Sequence, residues 1–243
     1  MSKPLSFVLL SFLAGSAVAD SVDPTCFAIE RSFAENKLDA LRAVDAAEPR
    51  WEALKQFRLA AAYIPADERK PALKAIREGL SVVSRELKSH PEDSELLILG
   101  AMLDGQYLLL QPWRFFWNGR RGLNRIARAE KFEPDNPRIA LVRGTAKFIL
   151  PRILGGSAQE AEAIFSTALN QSTATNTPFQ ATNLCASGQW GQVDLMNWLA
   201  RAYAKQGKHA LSQDTFQLAS KYSPGNHWVD LALKGEGYEW TQE

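Results

Sequence analysis

The chain has 243 residues, 46% hydrophobic and 23% charged, with 28 Lys and Arg balanced by 27 Asp and Glu and a formal net charge of +1. That length can bury a sizeable core in one or two domains. The even charge argues against a general nucleic-acid binder, which carries a basic excess.

The first predicted element is an export signal. Lys3 precedes an apolar run from Leu5 to Leu13, and Ala14-Gly15-Ser16-Ala17-Val18-Ala19 ends it in Ala-x-Ala. A positive start, a short apolar run and small residues at the exit describe a secretory signal peptide, with cleavage after Ala19. The run is too short to span a bilayer of about 30 Å as a helix. Lys3 is the one charge in this segment, so its removal leaves the net charge at zero. Asp23-Pro24-Thr25 before Cys26 is unlike a lipobox. Residues 20–243 are therefore expected to form a single helical domain, periplasmic or secreted, without stable membrane insertion.

Helical periodicity then predicts Pro24–Ala34, Lys37–Asp45, Glu48–Ile64, Asp67–Ser89, Ser94–Leu110, Phe115–Phe132 and Pro137–Leu150. It continues over Ala158–Gln171, Val193–Lys205, His209–Tyr222 and Trp228–Lys234, with Ser172–Gly191 as a long loop. Breaks fall where Pro or paired Gly interrupts the pattern, at Pro65, Pro91, Pro134, Pro151, Gly155-Gly156 and Pro224. Proline cannot continue a helix and glycine tolerates positive φ.

Met196-x-x-Leu199-Ala200-x-x-Tyr203, Gly207, Ser212-x-x-x-Phe216-x-x-Ala219 and Pro224 have the spacing of a tetratricopeptide repeat. Weaker copies run through Leu99-Gly100 with Gly122, Ile126 and Ala129, and through Gly144 with Ala161, Phe165 and Ala168; an earlier unit ends in Gly79, Val83 and Pro91. The fold expected is all-α, a right-handed tetratricopeptide-like solenoid of about four degenerate helix pairs, clearest at 196–224. Between the small residues of a pair, Ala200 to Ser212 spans twelve positions, Gly100 to Gly122 spans twenty-two and Gly144 to Ala161 spans seventeen. Units two and three thus carry insertions, which in solenoids fall in loops on one face.

Pro151, Leu154-Gly155-Gly156, Trp190-Gly191, Trp198 and the last repeat together resemble a group of exported bacterial tetratricopeptide-like proteins with a Pro-x-x-x-Gly-Gly insertion. The resemblance covers the C-terminal half and implies no catalytic activity. Helical T components of TRAP solute transporters are a more distant resemblance, implying ligand delivery. Trp190 is expected under the final repeat, and Trp228 with Trp240 over the open end of the solenoid.

Cys26 and Cys185 are the two cysteines. In an oxidising compartment they are expected to pair, tying the N-terminal segment to the long loop. The alternative is two separate thiols.

No HExxH, GxSxG, Walker or GxGxxG pattern occurs, and His90, His209 and His227 form no metal motif. No catalytic residue, metal or cofactor is therefore assigned. The unusual segment is Pro112-Trp113-Arg114-Phe115-Phe116-Trp117-Asn118-Gly119-Arg120-Arg121, within the insertion of unit two. Its aromatics either fill a widened seam, with Arg120 and Arg121 in solvent, or form with the arginines a groove for a ligand or partner; contact with lipid headgroups is the third reading. Trp113, Arg114, Phe116, Trp117, Arg120 and Arg121 are the binding candidates. Gly155 and Gly156 join them, either as a corner capped by Ser157 and Glu160 or as a loop whose amides receive an anion. The function expected is a non-catalytic scaffold or adaptor, a monomer or weak oligomer, binding a protein segment or peptide in a helical groove. A solute-binding accessory of a transporter is the alternative, and an enzyme on a helical scaffold the second.

Overall fold

The computed structural model describes residues 23–174, 185 and 190–236, and it is all-α, with no strand among them. The signal segment, most of the Ser172–Gly191 stretch and Trp240 lie outside the described residues. The helices are α1 (Pro24–Ala34), α2 (Leu38–Ala43), α3 (Pro49–Tyr63), α4 (Arg69–Glu86), α5 (Ser94–Leu110) and α6 (Arg120–Phe132). After them come α7 (Pro137–Ile149), α8 (Ala158–Ala174), α9 (Gln192–Lys205), α10 (His209–Tyr222) and α11 (His227–Leu233). The predicted bounds of α1, α5 and α10 agree to the residue. Phe115–Gly119 is a separate π-helical turn ahead of α6, and α8 continues three residues into the predicted loop.

Sequential packing pairs α3 with α4, α5 with α6, α7 with α8 and α9 with α10, and each pair rests on the next. The spacing of small residues explains the close seams. A Cβ on Gly144 would sit 2.3 Å from the ring of Phe165, and one on Gly100 2.9 Å from Val83. Only the bare backbone lets those helices approach so closely. Helix α5 packs on α3, α4, α6 and α7, so most of its circumference is buried and apolar. Helix α6 lies on the outside and buries only Arg125, Ile126 and Ala129.

The first helices of the pairs run in a common direction. Their N-termini share one edge, where Glu95 of α5 pairs with Arg138 of α7. Their C-termini share the other, where Arg69 Nη2 donates to Leu110 O at 2.5 Å and Lys205 Nζ to Phe148 O at 3.4 Å.

One side of this stack is covered by the chain's own first helix. Helix α1 lies on α3, and its capping residue Asp23 accepts from the amides of Thr25 and Cys26 through Oδ1 and from Trp51 Nε1 through Oδ2. One carboxylate thus starts the helix and fixes it to α3. Cys26 is bonded to Cys185, 159 residues away, and both are buried. Farther along α1, Phe33 stacks on Trp228 of α11 at 5.4 Å, and Phe33 O accepts from Trp228 Nε1 at 3.0 Å. Trp228 therefore fixes α11 to α1.

Between these contacts lies Arg58 of α3, only 2% exposed. Its Nε and Nη2 donate to Glu30 of α1 at 2.7 Å each, and Nη1 and Nη2 to Asp194 of α9 at 3.0 and 2.6 Å. Its guanidinium also lies 4.6 Å from the ring centroid of Phe33. Burial disfavours the Arg58 charge, but Asp194 and Glu30 outweigh that and keep it protonated. Burial pushes the Glu30 carboxyl up, against the opposing pull of Arg58.

Arg58→Leu is expected to leave the buried Glu30 and the partly buried Asp194 without a cation and to cost about 3 kcal/mol in urea unfolding. Glu30→Gln, which leaves a neutral Arg58–Asp194 pair, is expected to cost only about 1 kcal/mol. A carboxyl with a raised folded-state pKa binds its proton in the folded protein before the unfolded chain does. Its contribution favours folding below the ordinary value of 4.5 and is lost as pH rises through the raised one. The unfolding free energy of Glu30→Gln should therefore lack that pH dependence. Reduction of Cys26–Cys185 opens a very long loop and is expected to lower stability by about 5 kcal/mol in the chain-entropy model, read as an earlier melting transition with reductant.

Candidate functional site

The insertion of unit two is built around one buried carboxylate. Asp104, 1% exposed, is the buried carboxylate of the largely apolar α5. Its Oδ1 accepts from Arg121 Nε at 3.0 Å and Asn118 Nδ2 at 3.4 Å, while Arg121 Nη2 makes a further close contact. Its Oδ2 accepts from Arg125 Nη1 at 2.6 Å, and Arg125 also donates to Gly100 O at 3.0 Å. These bonds clamp the π-helical turn onto α5. Arg121 therefore does not project freely into solvent, and its part is to hold the insertion.

Trp113 and Trp117 do not fill the seam. They are 67% and 75% exposed. Arg120 is exposed, and Arg114 lies beside Tyr107 with 5.7 Å from guanidinium to ring centroid. The side chain of Phe116 is outside the described set. Of the candidates in 112–121, Trp113, Arg114, Trp117 and Arg120 thus share an outer surface.

Gly155 and Gly156 form a corner. The amides of Gly155, Gly156 and Ser157 donate to Arg152 O, Pro151 O and Lys147 O at 3.0, 3.1 and 2.8 Å. An anion-receiving loop needs those amides, and here the turn's own carbonyls take them. Half of the expected capping box is present: Ser157 Oγ accepts from Glu160 N at 3.1 Å, while Glu160 pairs with Lys147. Gly155 has φ 86°, and a Cβ on Gly156 would meet Leu150 O at 1.7 Å. The same turn projects Ile153, 92% exposed, and Leu154, 50% exposed, beside Arg152. Partial burial and then the charge of Arg152 push the Lys205 amine down, which places Arg152 near the C-terminal end of α9.

The opposite edge holds a cleft of about 270 Å³ lined by Arg50, Trp51, Glu95, Leu99, Glu133, Arg138 and Trp190. Trp190 does not pack under the final repeat. Its ring faces Phe57 of α3 at 6.3 Å, its Nε1 donates to Glu95 at 3.0 Å, and the Arg138 guanidinium lies 5.2 Å from its centroid. The disulfide explains the difference, because Cys185 draws the segment before α9 inward to α1. Arg50 lies 4.6 Å from the Trp51 ring, so each tryptophan carries an arginine. The sequence signal for this cleft was the Trp190-Gly191 pair, whose partners on α3, α5 and α7 are too distant in the chain for spacing to reveal. Among the described residues, no group of three or more His, Cys, Asp or Glu is placed to hold a metal ion.

No family model matches the chain, and no curated protein matches it. It is similar in structure to the HusA haemophore from Porphyromonas gingivalis, with a TM-score of 0.50 and 21% identity over 76% of this chain and 88% of that one. At that identity the likeness defines the class as a shared helical fold.

Gly156→Ala is expected to displace the 150–157 corner and lower stability by about 2 kcal/mol. Trp113→Ser, at an exposed position, is expected to change it by less than about 0.5 kcal/mol. Thermal melting of the two variants side by side checks both.

Proposed function

We propose that this protein is an exported, non-catalytic binding protein that holds a small amphipathic solute in the cleft between Trp51 and Trp190. The observation that carries the reading is the side of the stack that α1 covers. A protein segment lying there would have to displace α1, which the disulfide and the Arg58 ion pairs hold in place. Among the described residues a cleft remains where the buried Trp51 and Trp190 meet Arg50, Arg138, Glu95 and Glu133. Its volume is just under the range of about 300–1,000 Å³ common for ligand sites, so a small ligand or the buried part of a larger one fits. Trp51 and Trp190 are buried with an arginine over each ring, so the group a ligand meets at the rim is the Arg50 guanidinium, which suits a carboxylate or phosphate.

The helical neighbour named a haemophore supports the same reading, since that name describes a carrier of a small molecule. Export agrees with the buried disulfide and with the signal-like first nineteen residues. No described helix is long and apolar enough to cross a membrane.

The test is thermal stabilisation and calorimetric titration against a panel of acidic solutes, haemin included. A bound member should shift the melting temperature upward, and Arg50→Gln should weaken it about tenfold, since Arg50 sits at the rim and is half exposed. A panel without any shift, or binding that ignores both Arg50→Gln and Trp190→Phe, counts against the reading.

A further inference from the structure

The edge opposite the cleft has a composition that its packing does not explain. Trp113, Trp117, Ile153 and Leu154 are large apolar groups exposed from 50 to 92%, all on the turns joining first to second helices in units two and three. Both turns are insertions relative to the regular last repeat, whose corresponding turn is Gln206-Gly207-Lys208. Helix α5 packs directly on α7, and each of the two turns follows the C-terminal end of one of them.

Their surroundings are basic. Arg114, Arg120 and Arg152 stand beside the apolar groups, and Lys205 follows at the end of α9. The carboxylates of this stretch are engaged: Asp104 by Arg121 and Arg125, Glu160 by Lys147, Glu162 by Lys208. Two carboxylates, Asp67 and Glu68, lie farther along at the turn of unit one, followed by Arg69 and Lys70.

We propose that this edge docks on an anionic lipid surface, with Trp113, Trp117, Ile153 and Leu154 entering the headgroup layer and Arg114, Arg120 and Arg152 meeting lipid phosphates. Indoles prefer the boundary between hydrocarbon and water, and arginine beside them meets phosphate bidentately. The groups project from separate turns, a form suited to a deformable surface. A rigid protein partner is met by aromatics seated in a packed patch. The short apolar tips give reversible attachment, which basic residues strengthen. The cleft lies on the other edge, so the two proposals stand or fall separately.

The test is co-sedimentation of the full chain, expressed for export, with two kinds of vesicle. One is phosphatidylcholine alone and the other contains phosphatidylglycerol. The protein is expected to pellet with the phosphatidylglycerol vesicles, and raised salt should reduce this as the phosphates are screened. Trp113→Ser with Trp117→Ser should weaken the association at least tenfold with unchanged melting. Arg114→Gln, Arg120→Gln and Arg152→Gln together should remove the preference for anionic lipid. Should the double tryptophan variant melt early, Ile153→Ser, at the most exposed of these positions, gives the same readout with a several-fold loss. Protein remaining in the supernatant at low salt overturns the proposal and assigns the edge to a protein partner. Association unchanged in both the tryptophan variant and Ile153→Ser also overturns it.

Discussion

A guanidinium buried between two carboxylates decides the shape of this molecule. Arg58 is reached by Glu30 from the start of the chain and by Asp194 from the last repeat. Burying the Arg58 and Glu30 charges is unfavourable unless each is paired, so the site tolerates little rearrangement of α1, α3 and α9. A stack of helix pairs has no reason of its own to bring its first unit to its last. Here the charge requirement does so, and Cys26–Cys185 and the Phe33–Trp228 stack lie along the same helix.

The cover that α1 gives α3 bears on where recognition can happen. Solenoids commonly use the concave face, which a superhelix leaves free for a ligand. Here α1 covers α3 and reaches α9 and α11, and the candidate surfaces lie at the two edges. One edge carries the indole and guanidinium cleft, kept in form by Glu95, which accepts from both Arg138 and Trp190. The other carries the inserted turns, kept in form by Asp104. In each case a partly or fully buried carboxylate positions arginines beside aromatic groups, which are buried at the cleft and exposed at the inserted turns.

How much of this the sequence displayed follows from the range of each interaction. Helix ends governed by neighbouring residues were legible: Asp23 and Pro24 open α1, Asp93 opens α5, and Ser223-Pro224 closes α10. The repeat seams were legible as well, since Gly100, Gly144 and Ala200 occupy the small-residue position of their units despite the unequal spacing. The cysteine pairing followed from there being two cysteines and an export signal. The Arg58 site was not legible, because its members are 28 and 136 positions apart and each reads alone as a solvated helix residue. One cue existed: Arg58 interrupts Phe57-Arg58-Leu59-Ala60, where a solvated charge is out of place. Asp104 within Leu103-Asp104-Gly105 gave the same cue. Trp190 was misplaced because the next repeat is its neighbour in sequence, while the disulfide makes α3 and α5 its neighbours in space.

The attachment of α1 to α9 and α11 also bears on how the chain reaches its fold. An open solenoid can nucleate anywhere and grow by neighbouring units, and it loses its ends first. In this protein α1 has no complete partner until α9 and α11 have formed. Its contacts span nearly the whole chain, and such topology slows folding. Once formed, the same contacts remove the loose ends at which a repeat array begins to fray. The molecule should therefore behave as one cooperative unit, and cutting whole repeats from either terminus would remove the joint that makes the rest a single body.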